Sequence, residues 1–334
     1  MRRFSASGLI WVLTIVLPVV SLLSMTVGTV SISAGDLFGA ASNQVNTILF
    51  DIRLPRILLA ICVGAVLSST GAVMQGLFRN SLADPSLIGV SSGASVGASL
   101  MIVAAGGLIK TGALLGLSLV AVGAFIGGFV ATLLVYRLAT SDIGTSVTTM
   151  LLAGIAIAAI AGALNSLLTY FSDNDMLRQI SLWQMGNLSG ASWTKVAIMA
   201  AVALLLLSLF PRDSHGLNAL LLGESEARHL GVDVQAVKRR LIILTALGVG
   251  VCVALAGLVG FVGLIIPHIV RLAIGPDHRW LIPASALAGA TLLVIADSLA
   301  RIVVVPAELP TGILTALLGA PFFVALLLQQ RKQV

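Results

Sequence analysis

Residues 241–274 read LIILTALGVGVCVALAGLVGFVGLIIPHIVRLAI, a run of 34 residues in which almost every side chain is apolar. A helix needs only about 20 residues to cross a membrane, so one helix of this length does not fit a bilayer. Gly257, Gly260 and Gly263 interrupt the run, and Pro267 removes a backbone donor. The stretch therefore predicts one full span followed by a short returning span that neighbouring helices shield from lipid.

The rest of the chain has the same character. Of 334 residues, only 10% are charged, against about 25% in a soluble globular protein. This composition excludes a soluble enzyme, a disordered tail and a fibrous repeat, and predicts an all-α polytopic membrane protein with a single domain over residues 1–334. The ten predicted transmembrane helices are Gly8–Thr29, Leu54–Leu77, Leu87–Leu108, Ala113–Leu138, Ser146–Leu168, Trp193–Phe210, Leu241–Val262, Gly263–Ala273, Trp280–Val304 and Leu309–Leu328.

The basic residues predict the orientation of these spans. Arg2 and Arg3 stand at one end of the chain and Arg331 and Lys332 at the other. Basic segments beside a span stay in the cytoplasm, so both termini are predicted to be cytoplasmic and the number of spans to be even. Roughly two-thirds of the lysines and arginines then fall inside. The first apolar run is too long for a signal peptide and is predicted to be a retained span.

Two polar segments between the spans predict short helices. Segment 172–190, on the outer side, alternates apolar and charged residues and predicts an interfacial helix. Segment 212–232, on the cytoplasmic side, predicts two short helices that are hinged near Gly223, the second opened by Glu224. A pair of amphipathic helices with no domain of its own fits a groove on a partner protein, although a solvated loop is the alternative.

Several kinds of chemistry are missing from the sequence. There is no P-loop motif, no H-E-x-x-H and no G-x-S-x-G, and the four histidines are scattered, so we expect no catalytic residues and no metal site. Ionisable residues are scarce within the spans, which argues against an ion-coupled secondary transporter and against an intramembrane enzyme, the two competing classes. Asp297 and Arg301, four residues apart near the outer end of a span, are predicted to pair with each other or to reach the surface rather than to relay protons.

Arginines on the outer side oppose the usual charge asymmetry. Arg53 and Arg56 precede the second span, and Arg301 lies at the outer end of the ninth. Arginine forms bidentate pairs with carboxylates, so these three residues are predicted to dock an acidic partner. The alternative is that they reach from the helix ends to the membrane surface.

Seven motifs carry a resemblance to a known family. From residue 30 to the C-terminus the chain resembles the FecCD-type permeases of ABC importers, which include those for vitamin B12, iron-siderophores and haem. Ser81 departs from the pattern, since many members have proline there. The motifs are GAVMQGLFRNSLADP at 71–85, LIGVSSG at 87–93, LGESEARHLG at 222–231, GFVGLIIPHIVR at 260–271, GPDHR at 275–279, ELPTG at 308–312 and GAP at 319–321.

The resemblance implies a type II ABC importer permease fold and a set of partners. Two copies of the chain would form a homodimer in the bacterial inner membrane, with the pathway on the two-fold axis. Two ATP-binding subunits would dock below, and a periplasmic substrate-binding protein would dock above. The chain itself would bind no cofactor, because ATP and Mg belong to the ATPase, and it would bind no nucleic acid.

The resemblance also implies roles for particular residues. Arg53, Arg56 and Arg301 match positions that receive acidic residues of the binding protein, while Asn80, Leu82 and Thr148 match or lie near the cytoplasmic gates. Overall likeness favours haem as the substrate, with ferric siderophore and vitamin B12 as alternatives. Segment 212–232 becomes the pair of coupling helices that contact the ATPase, with Leu220, Gly223, Glu224, Ala227, Arg228 and Leu230 as the coupling residues.

Overall fold

The computed structural model of the protein describes residues 5–28, 43–105, 114–141 and 144–331. The basic terminal residues Arg2, Arg3 and Lys332, on which the orientation was predicted, lie outside these ranges. The long helices are α1 (Ala6–Thr26), α3 (Leu54–Leu77), α4 (Val90–Ala104), α5 (Leu114–Ala139), α6 (Val147–Tyr170), α8 (Trp193–Leu209), α11 (Val234–Ala256), α12 (Val262–Ile274), α13 (His278–Ala300) and α14 (Thr311–Arg331).

Shorter elements connect these helices. Between α5 and α6, the strand β1 (Thr140–Ser141) pairs antiparallel with β2 (Gly144–Thr145). The shorter helices are α2 (Asn43–Thr47), which continues through the π-helical residues Ile48–Arg53 into α3, the 3₁₀ helices Pro85–Ile88 and Phe210–Asp213, and α7 (Asn174–Gln184), α9 (Ser214–Leu220) and α10 (Glu224–His229).

The described helices confirm the predicted transmembrane pattern. Seven of the described helical segments are long and apolar enough to cross a membrane. Three shorter apolar helices, Val90–Ala104, Val262–Ile274 and Thr311–Leu326, correspond to the remaining predicted spans. The seven are Ala6–Thr26, Asn43–Leu77, Leu119–Ala139, Val147–Tyr170, Trp193–Leu220, Val234–Ala256 and His278–Ala300.

The stretch 241–274 divides at Gly257 and Gly260, as predicted, whereas Gly263 and Pro267 lie inside α12 and do not interrupt it. A membrane helix tolerates proline where neighbouring groups can satisfy the freed backbone carbonyl. Helix α11 ends at Ala256, and α12 begins at Val262. Gly257 has φ +70°, a conformation that costs a residue with a Cβ atom but not glycine. Helix α11 begins at Val234, earlier than the predicted Leu241, because Asp233 caps it and the intervening basic residues are good helix formers.

The contacts within the chain define two compact units. The first unit comprises the described parts of residues 1–72, 187–214 and 259–334, and the second comprises those of 73–186 and 215–258. The assignment of residues 1–334 to one permease domain stays a prediction.

Glycine pairs bring the helices of the first unit together. Helix α3 meets α13 where Gly64 lies against the backbone of Gly289, and it meets α12 where Gly71 lies against the backbone of Gly263. A Cβ atom at either α3 position would overlap the opposing carbonyl group. Such small residues let helix backbones approach closely in a membrane, where packing rather than hydrophobic burial stabilises association.

The second unit uses the same device. Helix α4 packs against α5 with Gly93 opposite Gly127 and Gly97 opposite Gly123. Helix α11 also packs against α5, and α6 packs against α4. Helix α6 leaves most of its apolar surface uncovered, since only 17% of its most apolar 18-residue stretch is buried within the chain. That surface is therefore available to lipid or to another protein chain.

Candidate coupling, gating and docking sites

The predicted coupling segment forms the two short helices α9 and α10, separated at Gly223. Gly223 has φ +124°, a backbone conformation that residues with a Cβ atom rarely adopt. Leu220 and Ala227 are buried and attach the pair to the second unit. Arg228 is exposed, as are two leucines: Leu222 has 67% of its surface exposed and Leu230 has 59%. The pair therefore presents an uncovered apolar and basic surface.

Glu224 at the start of α10 is held by two cations. Its Oε1 atom lies 2.6 Å from Nζ of Lys238 on α11, and its Oε2 atom lies 3.8 Å from Nη2 of Arg228. The Lys238 side chain is almost completely buried, whereas about a third of the Glu224 side chain is exposed. Sequence reasoning took Lys238 only as one of several cytoplasmic basic residues. Lys238 is four residues after Val234 and three before Leu241, so it lies on the same apolar face of the helix as these two buried residues. That spacing is the sequence signal that Lys238 is buried.

The predicted gate residues lie at two turns of the second unit. Asn80 follows α3, and its Oδ1 atom accepts a hydrogen bond of 2.9 Å from the backbone N–H of Leu82. Thr148 is exposed in the first turn of α6. Ser146, two residues earlier, caps that helix by accepting a hydrogen bond from the N–H of Thr149. These positions lie at or beside the ends of helices α3 and α6. Their role as gates stays a prediction.

Asp84 caps the 3₁₀ helix that follows the first gate turn. Its Oδ1 atom accepts a hydrogen bond of 2.8 Å from the N–H of Ser86. Burial raises the pKa of the Asp84 carboxyl, and the hydrogen bonds from Ser86 partly oppose this rise. The cap fixes the turn between Asn80 and α4.

The three predicted docking arginines lie in the first unit and are buried, each at most 5% exposed. Arg56 Nε lies 2.9 Å from Oδ2 of Asp297, and Arg56 Nη1 lies 2.6 Å from Oε2 of Glu308. Arg301 Nε lies 3.4 Å from the same Asp297 oxygen, so the predicted pair of Asp297 and Arg301 is confirmed. We call Arg53, Arg56, Asp297, Arg301 and Glu308 the arginine cluster.

The arginine cluster also fastens the end of α1. Arg301 donates to the carbonyl oxygens of Val27 and Ser24, at 3.2 and 3.3 Å, and Arg53 donates to the carbonyl oxygen of Met25. Carbonyls at a helix end lack intrahelical donors, and these guanidinium groups supply them. The arginines thus have a structural use inside the unit that the sequence pattern did not indicate. The docking of an acidic partner by these arginines stays a prediction.

Removing the central carboxylate of the cluster should destabilise the first unit. In Asp297→Ala, Arg56 and Arg301 lose their shared buried counter-ion, and breaking a buried pair costs about 3–5 kcal/mol. We expect the midpoint of thermal unfolding in detergent to fall clearly below that of wild type. Glu308→Gln is the matched control, since its side chain is 34% exposed and its loss leaves Asp297 in place. Equal midpoints for Asp297→Ala and wild type would contradict this.

Among the described residues, no group of three or more histidine, cysteine, aspartate or glutamate side chains could hold a metal ion. In these two sites, the buried Arg56 pairs with Asp297, and the buried Lys238 pairs with Glu224.

Comparison with known proteins places the chain in a family. The model of the FecCD transport family matches residues 15–329. The hemin transport system permease protein HmuU of Yersinia pestis is 46% identical, over 96% of this chain and 95% of its own length. The vitamin B12 import system permease protein BtuC of Escherichia coli O9:H4 (strain HS) is 41% identical, over 99% of this chain and 98% of its own length.

Solved structures agree with this placement. An ABC transporter in an inward-facing conformation has a TM-score of 0.85 and 35% sequence identity, covering 97% of this chain and 99% of its own. PsaBC from Streptococcus pneumoniae shares the fold, with a TM-score of 0.52 and 20% identity over 84% of this chain. Both curated relatives are named as permease proteins, in agreement with the predicted fold class. The chain therefore belongs to the FecCD transport family of ABC importer permeases.

Proposed function

We propose that this chain is the permease subunit of an ATP-driven importer that carries haem from the periplasm to the cytoplasm of a bacterium. The observation that carries this proposal is the higher identity to the hemin permease than to the vitamin B12 permeases over nearly the whole chain. Ferric siderophore is a further alternative substrate. We propose no resident cofactor, with ATP and Mg bound by a separate subunit.

The coupling helices α9 and α10 support the docking of that ATP-binding subunit. The exposed Leu222 and Leu230 flank α10, with the exposed Arg228 between them. Apolar and arginine side chains are the types that anchor protein interfaces. Because Leu220 and Ala227 fix the other side of the pair, movement of a docked ATPase would be passed into the second unit.

The arginine cluster supports the docking of an acidic periplasmic binding protein. The cluster brings the cationic side chains of three arginines to one place in the first unit. Arg56 Nη2 is buried and has no hydrogen-bond partner among the described residues. A cavity of about 140 Å³ is lined by Arg53, Arg56, Arg301 and Glu308. A carboxylate from a partner would find a donor there.

A second copy of the chain is the proposed partner within the membrane. Helix α6 keeps a large uncovered apolar surface, with Ile155 at 65% and Leu152 at 62% exposure. In the homodimer this helix would border the pathway, and both termini would lie in the cytoplasm. The competing ion-coupled transporter would need ionisable groups that load and release an ion, whereas the buried Asp297 and the partly exposed Glu224 are engaged with arginine and lysine.

The substrate is tested by uptake in cells that express the chain. Deleting its gene should lower the uptake of radiolabelled haem by at least about tenfold, provided that this permease is the main route of haem entry. Uptake of radiolabelled vitamin B12 and of a ferric siderophore by the same cells should stay at the wild-type level. Complementation with the intact gene is the control. Loss of vitamin B12 or siderophore uptake with haem uptake unchanged would contradict the assignment of haem.

A further inference from the structure

We propose that Lys238 is a positioning residue that transmits movement of the coupling helix α10 to the N-terminal end of α6, where Thr148 lies. The inference rests on the proposed function, because it concerns how ATP hydrolysis on a docked subunit reaches the pathway. It assigns a role to a buried lysine that neither contacts the ATPase surface nor lies among the predicted gate residues. The residues that carry it all belong to the second unit.

Lys238 joins two elements that are far apart in sequence. Its Nζ atom lies 2.6 Å from Oε1 of Glu224 and donates a hydrogen bond of 2.8 Å to the backbone carbonyl of Thr145. The side chain is about 1% exposed, so water does not compete for these contacts. An ammonium group has three donors and no acceptor, which suits it to bridge a carboxylate and a carbonyl.

The peptide at Thr145 is held on both sides by α11. Its N–H group donates to Oε1 of Gln235, at 3.0 Å, while its carbonyl accepts from Lys238. Gly144 has φ +125°, and a Cβ atom there would collide with the Gln235 side-chain amide. The backbone of β2 is therefore fitted closely to α11 at this point.

Thr145 leads directly into α6. The next residue, Ser146, caps that helix, and Thr148 is in its first turn. A contiguous series of contacts thus runs from Glu224 through Lys238 and Thr145 to the start of α6. If the ATPase pulls on α10, Lys238 either follows Glu224 and takes the Thr145 carbonyl with it, or becomes a buried charge without its carboxylate. The second course costs several kcal/mol, so the elements should move together.

The test uses the complete complex, purified from native membranes and placed in lipid vesicles, with periplasmic extract of the same cells as the source of binding protein. Lys238→Met removes both contacts while keeping a long apolar side chain. We expect ATP hydrolysis to stay within about twofold of wild type while haem moved per ATP falls about tenfold, a common size for coupling between sites. Lys238→Arg, which can donate to both groups, should retain most of the wild-type ratio.

Arg239→Met is the matched control, since it removes a cation from the next, exposed position of α11. Equal haem-to-ATP ratios for Lys238→Met and Arg239→Met would overturn the inference. If Lys238→Met does not assemble, Glu224→Gln weakens the same bridge from its other end by removing the carboxylate that Lys238 contacts, and a wild-type ratio in that variant would overturn the inference. Absence of ATP-dependent haem uptake in the wild-type complex would instead contradict the proposed function.

Discussion

Replacing Gly71 with alanine is expected to prevent the first unit from folding. The new methyl group would overlap the carbonyl group and Cα atom of Gly263 on α12. A side chain can change rotamer to relieve such a clash, but backbone cannot, so α3 and α12 would have to separate. We expect a loss of more than about 3 kcal/mol, which is a large part of the stability of a typical domain.

The measurement is the yield of folded, monodisperse protein extracted from membranes, together with its thermal unfolding midpoint. Gly250→Ala is the control, because a Cβ atom in the middle of α11 would meet only the edge of the Phe125 ring, at 3.3 Å, and that ring can shift. We expect Gly250→Ala to change stability by no more than about 1 kcal/mol. If Gly71→Ala has the yield and the thermal unfolding midpoint of wild type, then α3 and α12 do not pack as closely at Gly71 as the structure shows.

Placing aspartates at Leu222 and Leu230 is expected to abolish ATP-driven uptake. Both side chains are exposed in the isolated chain, so the substitutions should leave its fold intact. In the assembled importer they would be buried against the ATPase, where an unpaired carboxylate costs several kcal/mol. We therefore expect the ATPase to be absent when the double variant is purified from membranes.

The control for this variant is the double substitution Leu222→Met with Leu230→Met, which keeps the apolar surface of the coupling helices. It should retain the ATPase and most of the uptake, since leucine and methionine have similar volume. Retention of the ATPase by the double aspartate variant would mean that the interface lies elsewhere on the chain.

Local patterns in the sequence were sufficient for the order of helices. The division of 241–274 followed from Gly257, although Pro267 lies within α12 without ending it, and the break between α9 and α10 followed from Gly223. These features depend on backbone freedom at single residues, which a sequence displays directly. Helix α11 was predicted too short because charged residues end an apolar run without ending a helix.

Long-range pairings could not be predicted in the same way. Nothing in the local sequence around Arg56 indicates that its partners are Asp297 and Glu308. From the sequence, Arg53, Arg56 and Arg301 are predicted to bind carboxylates of a partner protein. In the structure, most of their guanidinium nitrogens donate to residues of the first unit. The ion pair of Lys238 with Glu224 is likewise not indicated by the local sequence, because Glu224 lies in a segment that is predicted only to contact a partner protein.

The central proposal is that this chain is the membrane-spanning part of an ATP-driven importer. The most direct test is the mass of the intact complex after gentle purification from native membranes. The account predicts two copies of this chain together with two copies of a P-loop protein. A monomer or dimer of this chain alone, still active in transport without ATP, would contradict it.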